Sequence, residues 1–234
     1  MRRIRGTYTF YLHTFKNPVE FSICLDKDTL LELQSSGHFL EFALTSDTQQ
    51  DDVFWSWIRS SADGLGFMLD FPIYSSYSTA FEEVTQPPIG GAADLQIDFD
   101  LVVHTMKYDQ AGGHHVDAEI PKRMSFLTSE IEDFICKLSS SDLLNDAVGY
   151  YLKSIEEPEI FLVSLYKAYE LIKDTGAVSK TAAKKFTHLA NDPSVYGSRH
   201  ASEQATGFRS LSPNEWWGCQ ELLRNGIFRL AHSL

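Results

Sequence analysis

Residues 1–125 mostly alternate apolar and polar side chains, a period of two that is typical of β-strands. The opening strand places four large side chains on one face, namely Ile4, Tyr8, Phe10 and Leu12. Residues 19–25 and 39–44 are predicted to be further strands. The clearest alternation comes at 94–108, which a turn at 109–113 joins to a return strand over 114–123. This part of the chain is therefore predicted to be mostly antiparallel sheet.

Short helices and one more strand are expected between these elements. Asp26 can cap a short helix that carries Leu30, Leu31 and Leu33. Residues 48–59 place apolar side chains at helical spacing, which predicts a second helix. The apolar run over 65–74 is typical of a buried strand.

From Thr128 onward the apolar residues recur every three to four positions, the period of helices. Ser129 with Glu132 is expected to form a capping box on the first of these helices. Later helices have their own capping serines: one within Ser139–Ser141, then Ser179, and then Ser212 in a capping box with Glu215. A helix that begins near Pro158 is expected to end at Gly176.

The two patterns together predict an α+β protein with two domains. Residues 1–125 form an N-terminal, mostly antiparallel β-sheet domain with short helices, and residues 126–234 form a C-terminal all-α helical bundle. The 234-residue chain is 43% hydrophobic and 13% aromatic, which is enough to bury such cores and excludes disorder as the main state.

Charge and motifs narrow the classes of function. The net charge is −12, yet residues 176–234 hold seven basic and four acidic residues, which indicates an anionic partner at this end. No phosphate-binding GxxxxGK[ST], dinucleotide-binding GxGxxG or GxSxG serine motif is found, so no cofactor is predicted. Gly6 and Thr9 interrupt the apolar stretch that a signal peptide needs, and no run approaches the ~20 apolar residues of a membrane span. A cytoplasmic protein without membrane contact is predicted.

A polar segment at 191–211 separates two well-capped helices, whereas helix connections in bundles usually take about 2–8 residues. Arg199 and His200 are the catalytic candidates, because a fixed cation beside a titratable imidazole suits phosphodiester cleavage. The second interpretation is a surface loop that these two residues anchor to the bundle. The candidate binding residues, for an RNA or nucleotide ligand, are Asn191, Tyr196, Arg209 and Trp216. Trp216 is placed to stack a base, although a tryptophan at helical spacing is also typical of a core.

The hairpin provides a separate set of candidate metal ligands. His115, Asp117 and Glu119 share one face of the return strand by the period-two rule, and His104 lies on the strand before it. Histidine and carboxylate together suit Zn²⁺, Mn²⁺ or Fe²⁺. Any half-solvated antiparallel pair shows the same spacing, so these residues are candidates only and no resident metal is predicted.

The C-terminal pattern resembles the HEPN domains, which are small helical bundles. The resemblance rests on FLVSLYKAYELIK, then KKFTHLAND, then a polar loop with RHA, then SPNEWWGCQELLRNGIFRLAHSL as the last helix. It implies a bundle that is often dimeric and belongs to toxin–antitoxin, phage-defence or RNA-processing systems. Active members carry an Arg, four to six residues and a His, which form a metal-independent RNase site across a dimer. Here Arg199 directly precedes His200, and seven residues separate Arg224 from His232.

Two functions follow as hypotheses. The first is a binding or regulatory protein whose HEPN-like bundle forms a homodimer or docks on a partner protein. The alternative is a metal-independent RNase or toxin that uses Arg199 and His200 across a dimer. The departure from the family spacing and the acidic net charge both favour the first hypothesis.

Overall fold

A computed structural model of the chain describes residues 1–10, 13–77, 81–85, 94–108, 114–199 and 209–234, with the backbone alone at 13, 36, 104–108 and 114–118. Strands occupy most of the first half of the described chain and helices predominate in the second, which confirms the predicted α+β class. The chain divides into two units. Unit 1 comprises Met1–Leu69 and Ile73–Cys136, and unit 2 comprises Asp70–Pro72 and Lys137–Leu234.

The described strands all belong to unit 1. They are β1 (Arg2–Phe10), β2 (His13–Phe15), β3 (Glu20–Asp26), β4 (Thr29–Ser36), β5 (Phe39–Ser46), β6 (Ile73–Tyr77), β7 (Glu82–Glu83), β8 (Gln96–Tyr108) and β9 (His114–Leu127). One sheet has the order β3-β4-β5-β1-β6, with β7 also paired to β1, and the other has the order β2-β8-β9. The predicted domain boundary after residue 125 falls near the end of β9.

The helices among the described residues are α1 (Asp51–Leu69), α2 (Thr128–Ser140), α3 (Asp142–Glu156), α4 (Phe161–Ile172), α5 (Lys180–Asn191) and α6 (Pro213–Ser233). Short 3₁₀ turns at Pro158–Ile160 and Lys173–Thr175 flank α4. The three predicted caps are confirmed, because each serine side chain accepts a hydrogen bond from a backbone N–H of the first turn; these serines are Ser141, Ser179 and Ser212. Gly176 ends the second 3₁₀ turn with a φ of 81°, as predicted for its left-handed position.

The core of unit 1 forms between the larger sheet and α1. Tyr8 is fully buried, stacks on Phe42 with ring centroids 4.5 Å apart, and donates its hydroxyl hydrogen bond to the Ile58 carbonyl at 3.2 Å. Ile4 and Phe10 are buried on the same face of β1 as Tyr8, as its alternation predicted, and Leu12 lies outside the described residues.

The helix predicted after Asp26 is wrong. Residues Thr29–Ser36 form β4, in which Leu31 and Leu33 are buried, whereas Glu32 between them is not. Asp26 accepts a hydrogen bond from the Asp28 backbone N–H at 2.8 Å and so stabilises the turn between β3 and β4. An aspartate that begins a tight turn and one that caps a helix look alike in sequence, because both accept from an N–H two or three residues ahead.

The strand predicted over 65–74 is also wrong for most of its length. Residues 65–69 complete α1, Asp70 follows with a φ of 64°, and β6 begins only at Ile73. The last third of α1 is buried on nearly every side. A helix in such surroundings is continuously apolar and cannot be distinguished from a buried strand by periodicity.

The capping box predicted at Ser129 and Glu132 is replaced by a contact from far away in the chain. Asp94 accepts hydrogen bonds from the Ser129 backbone N–H at 3.0 Å and from the Thr128 hydroxyl at 3.1 Å. The Ser129 N–H also lowers the pKa of Asp94. Glu132 instead accepts from the Cys24 N–H on β3 at 3.3 Å.

Asp63 on α1 makes unit 1 sensitive to pH, because burial raises the pKa of its carboxyl from 3.8 to about 6 against the opposing effect of Arg59. The unfolded chain loses this proton first, so stability should fall as pH rises from about 4 to about 6. The variant Asp63→Asn should lack this decline. At pH 7 its free energy of unfolding should exceed that of the wild type by roughly 1 kcal/mol. Urea unfolding of both proteins across this pH range would measure it. Parallel pH profiles of the two proteins would contradict the assignment.

Candidate functional site

The two described ends of the polar segment 191–211 are fixed to each other and to α5. The Arg209 N–H donates to the Ser194 carbonyl at 2.9 Å, and the Tyr196 N–H donates to the Arg209 carbonyl at 3.0 Å. The Arg199 N–H donates to the carbonyl of Ala190, on the last turn of α5, at 2.9 Å. The base of the segment therefore has a defined path. His200, the second catalytic candidate, lies outside the described residues.

Arg199 and Asn191 are brought together, as candidate residues of one site should be. The Arg199 guanidinium lies 4.0 Å above the centre of the Tyr166 ring and donates a hydrogen bond to Asn191 Oδ1 at 3.3 Å. Asn191 Nδ2 in turn donates to the Thr187 carbonyl at 2.7 Å, which orients the amide. Arg199 is thus an exposed cation in a fixed orientation at the C-terminal end of α5.

Arg209 lies in the cap of α6. Its guanidinium donates to both carboxylate oxygens of Glu215, at 3.0 and 3.2 Å. Glu215 also completes the predicted capping box with Ser212. Hydrogen bonding to the Ser212 N–H, with Arg209 as a further contributor, lowers the pKa of Glu215 to about 2. The Glu215 carboxylate therefore stays ionised at neutral pH and neutralises the charge of Arg209.

The exposed side of α5 carries a row of basic side chains. We call Lys180, Lys184, Lys185 and His188 the basic face, and all four are exposed. The opposite side of α5 buries Ala183, Phe186, Leu189 and Ala190, which determines the orientation of the helix. No acidic residue occurs between positions 175 and 191 of the sequence. Asn191 follows three residues after His188, so the basic face leads directly to Arg199.

The predicted binding residues Tyr196 and Trp216 line one open cleft of about 350 Å³, together with Pro158, Glu159, Phe161, Ser210 and Leu211. We call this the aromatic cleft. The Trp216 ring stacks on the buried Phe161 ring, with centroids 3.5 Å apart and planes inclined by 12°. Tyr196 is 55% exposed. Trp216 therefore lines the cleft with its ring packed against a buried phenylalanine.

Gly197 allows the segment to approach the start of α4. Its φ is 75°, and a Cβ atom there would lie 3.0 Å from the Glu159 carbonyl oxygen. A side chain at this position would be strained by the backbone conformation and would crowd the Glu159 carbonyl.

The backbone pairing of the hairpin is described for the candidate metal ligands, but most of their side chains are not. His104 pairs with Glu119, but a bulge at Asp117 shifts the register, so that His115 pairs with Lys107. The side chains of His104, His115 and Asp117 lie outside the described residues. Within the described part of the chain, no three His, Cys, Asp or Glu residues are grouped closely enough to hold a metal ion.

Sequence reasoning missed two components of this surface. Tyr166 on α4 was not among the predicted site residues, whereas it is half-buried and its ring supports Arg199. The basic face could have been found from the spacing of Lys180, Lys184 and His188 at every fourth residue within an acid-free stretch.

Comparisons of the chain with protein-family models, with curated proteins and with solved structures found no match. The resemblance to the HEPN domains therefore stays a prediction from helix order and loop position in the sequence. None of the helices in the described ranges has both the length and the apolar character that crossing a bilayer requires.

Proposed function

We propose that the protein is a binding or regulatory protein whose HEPN-like bundle holds RNA through the basic face of α5 and Arg199, in a phage-defence or toxin–antitoxin setting. The observation that supports this proposal is the row of exposed basic side chains along α5 that continues into a fixed arginine. As the family likeness implies, the bundle forms a homodimer or docks on a partner protein.

The chemistry of the basic face suits a phosphate backbone. Lys180 and Lys184 lie about one turn apart on α5, roughly 6 Å along the helix axis, so that their ammonium groups can contact neighbouring phosphates of one strand. Arg199, held between Tyr166 and Asn191, provides a guanidinium that can pair with one phosphate in a fixed orientation. Because the whole chain carries a net charge of −12, such contact is confined to this local surface.

The alternative function, a metal-independent RNase, has one observation in its favour. Arg199 is exposed and oriented, and His200 follows it directly in the chain. Binding is the better proposal because Arg199 already stacks on Tyr166 and bonds to Asn191, and because the spacing differs from that of active HEPN members.

Removing the lysines of the basic face should weaken RNA binding. We expect the triple variant Lys180→Ala, Lys184→Ala, Lys185→Ala to bind a fluorescein-labelled single-stranded RNA of twelve nucleotides at least about tenfold more weakly than wild type, because each lysine lost removes a phosphate contact. Fluorescence anisotropy with the full chain at constant salt would measure the affinities.

A matched control removes the same charge elsewhere in unit 2. Lys153, Lys167 and Lys173 are exposed and lie outside the basic face. Their combined replacement with alanine should change RNA affinity less than about threefold. An equal loss of RNA affinity in both triple variants would mean that only net charge matters, and it would overturn the proposal. Absence of RNA binding by the wild type would overturn it as well.

The same RNA, incubated with and without EDTA, separates binding from cleavage. We expect the RNA to stay intact under both conditions. Cleavage that persists in EDTA and disappears in both Arg199→Ala and His200→Ala would establish the nuclease alternative instead.

A further inference from the structure

The aromatic cleft differs from the basic face in its electrostatics. Glu159 lines it and Glu156 is exposed in the same 156–159 segment, EEPE. Arg209, which directly precedes the lining residue Ser210, is neutralised by its paired hydrogen bonds to Glu215. A phosphate group would be repelled here, whereas a cation would be attracted.

The shape and walls of the cleft favour a planar cation. Phe161 fixes the orientation of the Trp216 indole, because the two rings are stacked and nearly parallel. A guanidinium group stacks on such a surface and can at the same time donate two hydrogen bonds to a carboxylate, which an ammonium group cannot do in one plane. Tyr196 provides a second aromatic wall, and Glu159 provides the carboxylate.

Unit 2 already contains the same type of contact within its own chain. The Arg199 guanidinium lies 4.0 Å above the Tyr166 ring, and the Arg224 guanidinium lies 5.0 Å from the centre of the Phe228 ring. Both contacts pair an arginine with an aromatic ring on a helix of the bundle. The aromatic cleft has a ring of this kind and also Glu159 in its lining, with about 350 Å³ of open volume.

We propose that the aromatic cleft binds the guanidinium group of an arginine side chain on a partner polypeptide. The guanidinium stacks on Trp216, Glu159 accepts its N–H hydrogen bonds, and Tyr196 covers its aliphatic stem. This interaction goes beyond RNA binding at the basic face, and it supplies a separate surface through which a second protein reaches the bundle.

The experiment compares three peptides that differ at one residue. The probes are acetyl-Gly-Arg-Gly-amide, the citrulline analogue, which is nearly isosteric and neutral, and the lysine analogue. Isothermal titration of the full chain should give a millimolar affinity for the arginine peptide, with the citrulline peptide at least about fivefold weaker because it lacks the charge. The lysine peptide should fall between them.

Variants of the cleft locate the binding. Glu159→Gln and Tyr196→Ala should each weaken the arginine peptide by about fivefold, and both side chains are exposed enough to be replaced without unfolding the bundle. The adjacent Trp217, which is 62% exposed and does not line the cleft, provides the control Trp217→Ala, with unchanged affinity expected.

Three outcomes would overturn the proposal: equal binding of the arginine and citrulline peptides, unchanged arginine affinity in both cleft variants, or no detectable binding by wild type. The lysine triple variant of the basic face separates this proposal from RNA binding. This variant should bind the arginine peptide with unchanged affinity but bind RNA more weakly. Each proposal can therefore be tested even if the other fails.

Discussion

Replacing Gly6 with alanine should lower the free energy of unfolding by about 3 kcal/mol. A Cβ atom on Gly6 would lie 2.5 Å from the Ser76 carbonyl oxygen on β6 and 2.5 Å from the Phe42 ring on β5. The Phe42 ring also stacks on Tyr8 in the core of unit 1, so it has little room to move. The new methyl group must therefore separate β1 from a neighbouring strand or displace a core ring. Urea unfolding followed by circular dichroism would measure the loss.

Thr7→Ala provides the control one residue away. Thr7 is only half-buried, in the same strand as Gly6. Its replacement should cost under about 1 kcal/mol. Equal stability of Gly6→Ala and wild type would mean that β1 and β6 do not approach as closely as described.

Replacing Gly226 with alanine should lower the free energy of unfolding by about 2 kcal/mol, against the usual preference of helices for alanine. The added Cβ would lie 2.5 Å from Val178 Cγ2 and 3.0 Å from Ile172 Cδ1. Val178 is buried and β-branched, so its methyl group cannot rotate away freely. The methyl group would push α6 from the segment that connects α4 to α5, where Arg229 donates a 2.6 Å hydrogen bond to the Ala177 carbonyl.

Gly218 on the same helix provides a control of opposite sign. Nothing lies within 4 Å of a Cβ built at Gly218. Gly218→Ala should therefore stabilise the protein by up to about 1 kcal/mol through helix propensity alone. Urea unfolding should rank the three proteins as Gly218→Ala, wild type and Gly226→Ala. If both alanine variants stabilise the protein, the packing of α6 against Val178 is not as described.

The fold was predictable where the deciding interaction is local. The cap of α6 joins Ser212 to Glu215, three residues apart, so the pattern alone identifies it. The start of α2 depends on Asp94, which is 35 positions away from Ser129, and no local pattern contains that contact. The wrong helix after Asp26 and the wrong strand over 65–74 have the same origin, because pairing and burial selected among locally acceptable conformations.

The position of the candidate site in the sequence was predictable, but the contacts among its side chains were not. Its unusual length between two capped helices pointed to Asn191 and Arg199, which the fold brings within 3.3 Å. Spacing along the chain could not show that Tyr166 supports Arg199, since the two residues lie on separate elements. Nor could it show that Arg209 is neutralised by Glu215, because an arginine in a polar loop has the same sequence signature whether paired or not.

The role of the basic face is tested most directly by the salt dependence of RNA binding. A plot of log association constant against log salt should be shallower by about 2 for the Lys180, Lys184, Lys185 triple variant than for wild type, because each phosphate contact to a single strand contributes roughly 0.7 to the slope. The Lys153, Lys167, Lys173 control should retain the wild-type slope. Identical slopes for wild type and the basic-face variant would contradict RNA binding at α5.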